Sequence, residues 1–521
     1  MPHALPLAFE APEISYWALS PMIVLLVGAF VGVVVEAFVP RAVRHPVQVG
    51  VALASVVVSF ASLVLATGDE LGVTVGGTVA VDEPTRFLQG TLLVLGLLGL
   101  LVMADRLGGD TADAFTPMGA ASPGSTLEAQ AARKGWSTTE VFPLTLFALA
   151  GMLLFPASND LLTMFVALEV LSLPLYLMSG LARRRRLLSQ EAALKYFLLG
   201  AFSSGFFLFG AALLYGYAGS LDLSQIASAA TQSTGEFEGL LLPGVAMVLV
   251  GLLFKVGAVP FHSWTPDVYQ GAPSPVTGFM AAATKAAAFG ALLRLIYVGL
   301  ETTRWEWRMG VIVIAALTMV IGAVLSVTQT DVKRLLAYSS IAHAGFILVA
   351  LVSFDRTAVA GVLFYVVAYG ISTIAAFAIV HLVRERDAEA THLSQWAGLG
   401  RRHPWIAGSF ALLMLAFAGI PLTSGFTAKV AAFLPALEHG GLAGTVLVVI
   451  GVLASAVTAF VYMRLIVLMF FTEPAGEVTV ASPAMLSLVV IAVGTIVTIL
   501  LGVFPGPLLE LAEQSSIFIP R

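Results

Sequence analysis

Long apolar stretches, separated by short polar connections, recur from one end of the chain to the other. Each stretch has about 20 residues, long enough to cross roughly 30 Å of hydrocarbon as an α-helix. They are too long for barrel strands, and a helix satisfies its own backbone groups where no water is present. The pattern predicts an all-α polytopic membrane protein of about fourteen spans, centred near residues 28, 56, 94, 148, 170, 204, 254, 287, 318, 343, 370, 419, 456 and 493.

The placement of positive charge predicts how the chain crosses the membrane. Of its 26 lysines and arginines, 15 lie in the connections on one side and 5 in those on the other. Basic residues favour cytoplasmic connections, so both termini are predicted on the opposite, non-cytoplasmic side. Residues 105–139 are rich in Gly, Ala, Ser, Thr and Pro, which predicts a flexible cytoplasmic loop. The run at 183–186, RRRR, is interpreted as an anchor of this topology.

Two spans carry glycine and proline near their centres, where a helix would normally be continuous. They read GAVPFHSW (257–264) and GIPLTSGF (419–426), and a lysine lies within about two turns of each. The seventh and twelfth spans hold these breaks, and the odd offset of five predicts two inverted five-helix repeats with sites near the midplane. The predicted segments are an N-terminal three-helix segment, the loop, the first repeat, the second repeat and a C-terminal helix, at 1–104, 105–139, 140–300, 301–470 and 471–521.

Composition removes several classes of function. Only 11% of the 521 residues are charged and 59% are hydrophobic, whereas soluble proteins carry about 25% charged residues. There is no cysteine, which excludes thiolate-bound iron–sulfur clusters, disulfides and cysteine nucleophiles on this chain. The eight histidines are scattered without metal-ligand spacing, and no phosphate-binding glycine motif or nucleic-acid surface is present. The sequence favours a chain that moves something over one that makes or breaks covalent bonds.

Ionisable residues within the spans are the candidates for that movement. A charge at the bilayer centre costs at least about 2.5–3.5 kcal/mol, so such residues are rare and functional by default. Five are predicted to lie deep, with no local counter-charge, so that partners must come from neighbouring helices: Glu169, Lys195, Lys255, Lys285 and Lys429. The alternative for a lone lysine is that its long stem carries the ammonium to an interface. Arg294 and Arg464 lie nearer span ends, where reaching an interface is the favoured interpretation.

A carboxylate and a lysine at depth can form a proton switch. Burial disfavours the ammonium form and a nearby carboxylate favours it, so opening and closing the pair releases and binds a proton. Glu169 is the acid at mid-depth and therefore the predicted partner of one lysine. Pro260 breaks the backbone ladder, which is predicted to admit water. His262 and His343 are proton-transfer candidates, with a satisfied interior histidine as the alternative.

Four stretches of the chain are similar to one family. They are KYFLLGAFSSGFFLFGAALLYGYAGS (195–220), FKVGAVPFHSWTPDVYQGAPSPVTGFMAAATKAAAFGALLRL (254–295), DVKRLLAYSSIAHAGF (331–346) and GIPLTSGFTAKVAAF (419–433). These resemble the antiporter-like membrane subunits of bacterial NADH–quinone oxidoreductase, respiratory complex I, and PDVYQGAP (266–273) is typical of the subunit N family. The resemblance implies fourteen helices and a fold shared with Mrp-type cation/proton antiporters. The 105–139 loop is longer than this family leads us to expect.

The resemblance also implies a role for each candidate residue. Glu169 matches a fifth-helix glutamate that pairs with Lys255 of the broken seventh helix, and Lys285 matches an eighth-helix lysine on a central hydrophilic axis. Lys429 matches the lysine of the broken twelfth helix, and Lys195 matches a sixth-helix lysine. His262 and His343 fall where the family has polar axis residues.

The implied function is proton translocation in the bacterial cell (inner) membrane, driven by quinone reduction elsewhere in the complex. No cofactor is expected on this chain, since NADH, FMN, iron–sulfur clusters and quinone would be bound by partner subunits. The implied partners are the antiporter-like subunit M, the small subunits K and J, the lateral helix of subunit L, and lipids. A subunit of an Mrp-type Na⁺/H⁺ antiporter and an inert membrane scaffold remain as alternatives.

Overall fold

The computed structural model describes residues 13–66, 71–107, 113–232, 238–385, 388–474, 478–482 and 484–519. Helices dominate these residues. The first half contains α1 (Ser20–Phe38), α2 (Arg41–Leu65), α3 (Glu83–Ala104), α4 (Thr126–Arg133), α5 (Val141–Leu154), α6 (Leu161–Ser179), α7 (Arg186–Ala218), α8 (Leu223–Thr231), α9 (Glu238–Val256) and α10 (Trp264–Gly271).

The second half continues with α11 (Ser274–Phe279), α12 (Lys285–Arg294), α13 (Arg304–Val327), α14 (Val332–Ala350), α15 (Arg356–Leu382), α16 (Leu399–Arg402), α17 (Pro404–Ala418), α18 (Ser424–His439), α19 (Gly441–Phe471), α20 (Met485–Val503) and α21 (Gly506–Gln514). Short π-helical turns at Met280–Thr284 and Leu295–Gly299 join α11 to α12 and extend α12, and a 3₁₀ turn covers Leu393–Trp396.

Strands are short and lie in the connections. β1 (Gly72–Thr74) pairs antiparallel with β2 (Val79–Val81), Gly72 opposite Val81. β3 (Val383–Glu385) lies between β4 (Ala388–Glu389) and β5 (Val478–Val480), antiparallel to both.

The predicted all-α membrane fold is confirmed, but the count of fourteen spans is not. Twelve helical segments in the described residues are long and apolar enough to cross a membrane. The shorter apolar helices Val141–Leu154 and Pro404–Ala418 stand near the predicted centres at 148 and 419. These two helices account for the difference between fourteen and twelve, because their 14 and 15 residues are fewer than the roughly 20 that span the hydrocarbon. The segment boundaries and the inverted relation of the repeats stay predictions.

Burial separates a central group of helices from an outer one. The apolar segment at residues 274–299 is entirely buried, and the apolar parts of α14 and α15 are 89% and 94% buried. The apolar parts of α2 and α20 are only 28% buried. Lipid solvates such apolar outer faces, so the polar side chains of the spans gain most by facing inward. The candidate residues Lys285 and His343 lie in this central group.

Both predicted breaks are present. α9 ends at Val256 and α10 begins at Trp264, while α17 ends at Ala418 and α18 begins at Ser424. Each break begins with a glycine in the left-handed region, Gly257 at φ +77° and Gly419 at φ +83°. Side chains with a Cβ rarely adopt that conformation, so the glycines let the chain leave the helix within one residue.

The 105–139 segment is not the loose loop that its composition predicts. Its residues 108–112 lie outside the described residues, but the remainder contains the helix Thr126–Arg133. Arg186 donates hydrogen bonds to the carbonyls of Gly119 and Ala121 and lies 3.2 Å from the carboxylate of Glu128. The RRRR run at 183–186, interpreted as a topology anchor, therefore also binds this segment to the start of α7.

A pH dependence follows from a second contact of the same segment. Asp113 is 3% exposed and lies 3.5 Å from Arg183. Burial raises the pKa of its carboxyl from 3.8 to about 6, against the opposing effect of Arg183. Because the pKa of Asp113 is raised in the folded segment, the packed segment is most stable below pH 3.8, where the carboxyl is protonated. This stabilisation is lost as the pH rises through about 6.

We expect the 113–139 segment to open more readily at pH 7.5 than at pH 5, by about 1.4 kcal/mol, because about one of the two pKa units is already lost at pH 5. Hydrogen–deuterium exchange of its amides, corrected for intrinsic rates, measures this difference. Asp113→Asn should remove most of the pH dependence. An equal dependence in the variant would mean that another group is responsible.

Candidate proton-transfer site

Lys255, the last lysine before the first break, is held by hydroxyl groups. It is 3% exposed, and its Nζ donates to Ser172 Oγ at 2.7 Å and to Tyr196 OH at 3.2 Å. The predicted partner Glu169 lies one helical turn before Ser172 on α6. No ion pair joins Glu169 to Lys255 in the described structure, and Glu169 Oε1 is buried without a hydrogen-bond partner. The pair is open, with Ser172 on the lysine in place of the carboxylate.

The polar groups freed at the first break are satisfied by side chains. Trp264 Nε1 donates to the carbonyl of Phe254 at 3.0 Å, and the amide of Val259 donates to Thr318 Oγ1 at 3.0 Å. His262 is half-buried there, and its Nδ1 is buried without a hydrogen-bond partner. The role of Pro260 in admitting water stays a prediction.

Lys285 occupies the centre of the buried helix group. It follows the π-helical turn Met280–Thr284, a distortion often found at functional sites. The side chain is 4% exposed, and Nζ donates to both the carbonyl and the hydroxyl of Ser340, the latter at 2.6 Å. Nζ also lies 5.2 Å from the ring centroid of Tyr369, within cation–π distance.

Lys429 uses the second break directly. Its Nζ donates to the carbonyls of Phe417 and Ala418 at 3.1 and 2.8 Å, and to Ser455 Oγ at 3.0 Å. These carbonyls end α17, where the helix supplies no further donors. The break therefore provides hydrogen-bond acceptors for the ammonium group.

His343 lies between the second and third lysine. Its Nδ1 is 2.7 Å from Tyr365 OH, and its Nε2 is buried without a hydrogen-bond partner. The ring centroid is 4.8 Å from that of Tyr369 and 5.5 Å from that of Phe417. The imidazole thus contacts residues that reach Lys285 on one side and Lys429 on the other.

These contacts join into one column, which we call the lysine column and which runs from Lys255 to Lys429. Its first half passes through side chains that the sequence analysis did not single out. Tyr196 stacks on Trp264 with centroids 4.6 Å apart, Trp264 meets Tyr269 edge-on at 6.3 Å, and Tyr269 OH lies 3.5 Å from Ser340 Oγ. Hydroxyls in otherwise apolar spans are the signal that could have found Tyr196, Tyr269, Ser340, Tyr365 and Tyr369.

Lys195 lies away from the column, contrary to its prediction as a deep residue without local counter-charge. Its side chain is 41% exposed, and Nζ is 2.7 Å from Glu191 and 2.7 Å from Asp267. Glu191 stands one turn earlier on the same helix, where a glutamate and a lysine meet. Asp267 also binds Arg334 at 2.6 Å. Lys195 is therefore part of an ion-pair network at the first turn of α10.

The interface interpretation of Arg294 is wrong. The side chain is fully buried, and Nη2 lies 2.7 Å from Asp82 Oδ1, which is equally buried. It also donates to Thr85 Oγ1 and to the carbonyl of Pro156. Asp82, just before α3, therefore compensates the charge of Arg294, because α12 itself contains no acidic residue. Arg464, by contrast, is exposed and donates to the carbonyls of Val327 and Gln329.

Comparison with known proteins shows the family of the chain. Residues 158–458 match the model of the family described as NADH:quinone oxidoreductase/Mrp antiporter, TM. The chain is 57% identical to "NADH-quinone oxidoreductase subunit N" of Rhodococcus opacus over 98% of this chain and 97% of that protein.

Solved structures show the same fold. A chain of respiratory complex I from Thermus thermophilus with bound aureothin superposes with a TM-score of 0.76 at 32% identity, over 95% of this chain and 99% of that one. A chain of the Mrp complex from Dietzia gives 0.78 at 21% identity, over 96% and 97%, a likeness of fold alone. The chain therefore belongs to the subunit N family of NADH–quinone oxidoreductase.

Proposed function

We propose that this chain translocates protons in the membrane arm of NADH–quinone oxidoreductase, coupled to quinone reduction elsewhere in the complex. The observation that carries this is the lysine column, in which three buried lysines are joined by hydroxyl, aromatic and imidazole groups. Hydroxyl and imidazole groups both donate and accept, so protons can pass along them. The ring contacts of Trp264 and Phe417 hold the column together but carry no proton themselves. Mrp-type antiport is less supported, because the likeness to the Mrp complex is one of fold.

The electrostatics of the column suit a proton carrier. Lys255, Lys285 and Lys429 are each almost fully buried, and none forms an ion pair within the described residues. A buried ammonium without a counter-charge is costly, so each lysine is suited to alternate between its charged and neutral forms. A carboxylate that approaches reverses this, since opposite charges favour the charged form.

Glu169 supplies the movable carboxylate. It lies one turn from Ser172, the present hydrogen-bond acceptor of Lys255. Rotation of its side chain toward Nζ would close the pair and hold the ammonium, and withdrawal would release the proton toward Lys285. Because two like charges repel strongly in a medium of low polarity, a proton arriving at Lys285 favours departure of one from Lys429.

We further propose the assembly and orientation that the family resemblance implies. The chain packs against subunits M, K and J and under the lateral helix of subunit L, in the bacterial cell membrane. Both termini face the periplasmic or extracellular side, which places the 105–139 segment in the cytoplasm. Partner subunits bind FMN, iron–sulfur clusters and quinone. Copurification tests this, since a complex I subunit brings NADH-oxidising partners with clusters and an Mrp subunit brings none.

The pumping role is tested by Lys255→Ala and Lys429→Ala in the assembled complex. We expect either variant to slow proton translocation by about two orders of magnitude, because each removes an acid–base group. Dye quenching in sealed vesicles during NADH oxidation measures this. Arg356→Ala, on an exposed outer arginine, is the matched control. Unchanged pumping with normal assembly would leave this chain as a scaffold.

A further inference from the structure

A cavity of about 390 Å³ lies between the 105–139 segment and the ends of three helices. Residues 117–120 form one wall, and the start of α2 with Trp136 forms another. The floor is formed by Leu144 of α5, Leu177 of α6 and Leu181, which follows α6. The volume falls within the range of about 300–1,000 Å³ usual for ligand sites. No step of proton transfer uses this cavity.

The polar end of the cavity presents an arginine to a ligand. The guanidinium carbon of Arg41 lies 3.8 Å from the ring centroid of Trp136, and the Nζ of Lys134 lies 5.1 Å from the same centroid. Arg41 forms no ion pair within the described residues, whereas the neighbouring Arg44 is bonded to Glu36 at 3.1 Å. A guanidinium stacked on an indole keeps its edge N–H groups free for an oxyanion.

The charge around the cavity favours an anion. The cavity is lined by two arginines, Arg41 and Arg44, against one carboxylate, Glu140, and Lys134 adds a further positive charge over Trp136. Glu36 is occupied by Arg44, Gln48 and Thr139. Glu36 therefore leaves Glu140 as the carboxylate that faces the cavity.

The other end of the cavity is apolar and open. Leu177 is 62% exposed, and Leu144 and Leu181 are partly buried beside it. Leu144 and Leu177 belong to apolar helices, so the exposed surface of Leu177 is suited to lipid. The cavity thus has a cation and an indole at one end and hydrocarbon at the other, and tryptophan is typical of the level where headgroups meet acyl chains.

We propose that this cavity binds one anionic phospholipid, with its phosphate against Arg41 and its acyl chains along Leu177. Basic pockets between membrane helices on the cytoplasmic side bind lipid headgroups. Residues 117–120 and 136–138 of this segment thereby act as a wall of a lipid site. The proposal does not depend on proton pumping.

The test is cryo-electron microscopy of the assembled complex in nanodiscs. In nanodiscs of phosphatidylcholine with phosphatidylglycerol, we expect lipid density between Trp136 and Leu177 in the wild type and its loss in Arg41→Ala. Nanodiscs of phosphatidylcholine alone should show none. Equal density in both lipids, or a neighbouring subunit that fills the cavity, would overturn the proposal.

Binding can be measured separately on the delipidated complex by native mass spectrometry during titration with phosphatidylglycerol. We expect Arg41→Ala to weaken one binding step by about tenfold or more, since a charge-assisted hydrogen bond contributes at least that factor. Arg401→Ala, on an exposed arginine outside the cavity, should leave it unchanged. Equal affinity in the wild type and Arg41→Ala would contradict the site even if pumping is intact.

Discussion

Replacing Lys285 with arginine is expected to slow proton translocation by about two orders of magnitude, as much as replacing it with methionine does. Arginine keeps the positive charge, but its guanidinium does not release a proton in proteins. Lys285 joins Ser340 to Tyr369 at the centre of the lysine column, so a group that cannot cycle between two protonation states should stop transfer there. Proton uptake and NADH oxidation, measured together in sealed vesicles, give the translocation rate.

The variants Lys285→Arg and Lys285→Met together distinguish three possible roles of Lys285. If Lys285 serves only as a fixed charge that orients Ser340, arginine should retain most of the activity and methionine should lose it. If it is a scaffold residue, both variants should pump once assembly is shown to be normal. Arg356→Met, which removes an exposed cation, controls for loss of charge as such.

The sequence predicted the lysines and the breaks because both violate the rules of an apolar helix. A charge or a proline within a long hydrophobic run has a large energetic cost, so its presence is visible without any structure. Gly257 and Gly419 could be located for the same reason. The membrane fold followed from the length of the runs alone.

The hydroxyl partners could not be predicted in this way. Tyrosine and serine are tolerated in spans, and a single residue does not reveal which face of the helix it occupies. Ser340 contacts Lys285 because the first residue of α12 faces the middle of α14, which is a property of helix placement and rotation and not of local pattern. Whether Glu169 is closed on Lys255 likewise depends on side-chain rotamers.

The errors at Lys195 and at the 105–139 segment have different physical causes. Glu191 is visible in the sequence four residues before Lys195, and helical spacing alone would have supplied the counter-charge. The contacts of Arg186 with Gly119 and Ala121 join residues more than sixty positions apart. A composition rich in small residues predicts flexibility only where no such long-range contact exists.

Arg294 is the clearest case in which distance along the chain hides a partner, since Asp82 lies 212 residues away. Replacing Arg294 with methionine is expected to destabilise the packing of α12 on α3 by about 3–5 kcal/mol, because Asp82 is left buried with its charge uncompensated. Faster hydrogen–deuterium exchange in the first turns of α3, within the assembled complex, measures this loss. Arg304→Met, on an exposed arginine, should change exchange there by less than about 0.5 kcal/mol.

The double variant Asp82→Asn with Arg294→Met separates the pair from its surroundings. Removing both charges leaves no unpaired ion, so we expect it to be more stable than Arg294→Met alone. Asp82 also accepts hydrogen bonds from Thr85 and from the amide of Ile519, which an asparagine oxygen can partly keep. If the double variant exchanged as fast as the single one, shape and hydrogen bonding would hold α3 against α12, and the buried charge itself would contribute little.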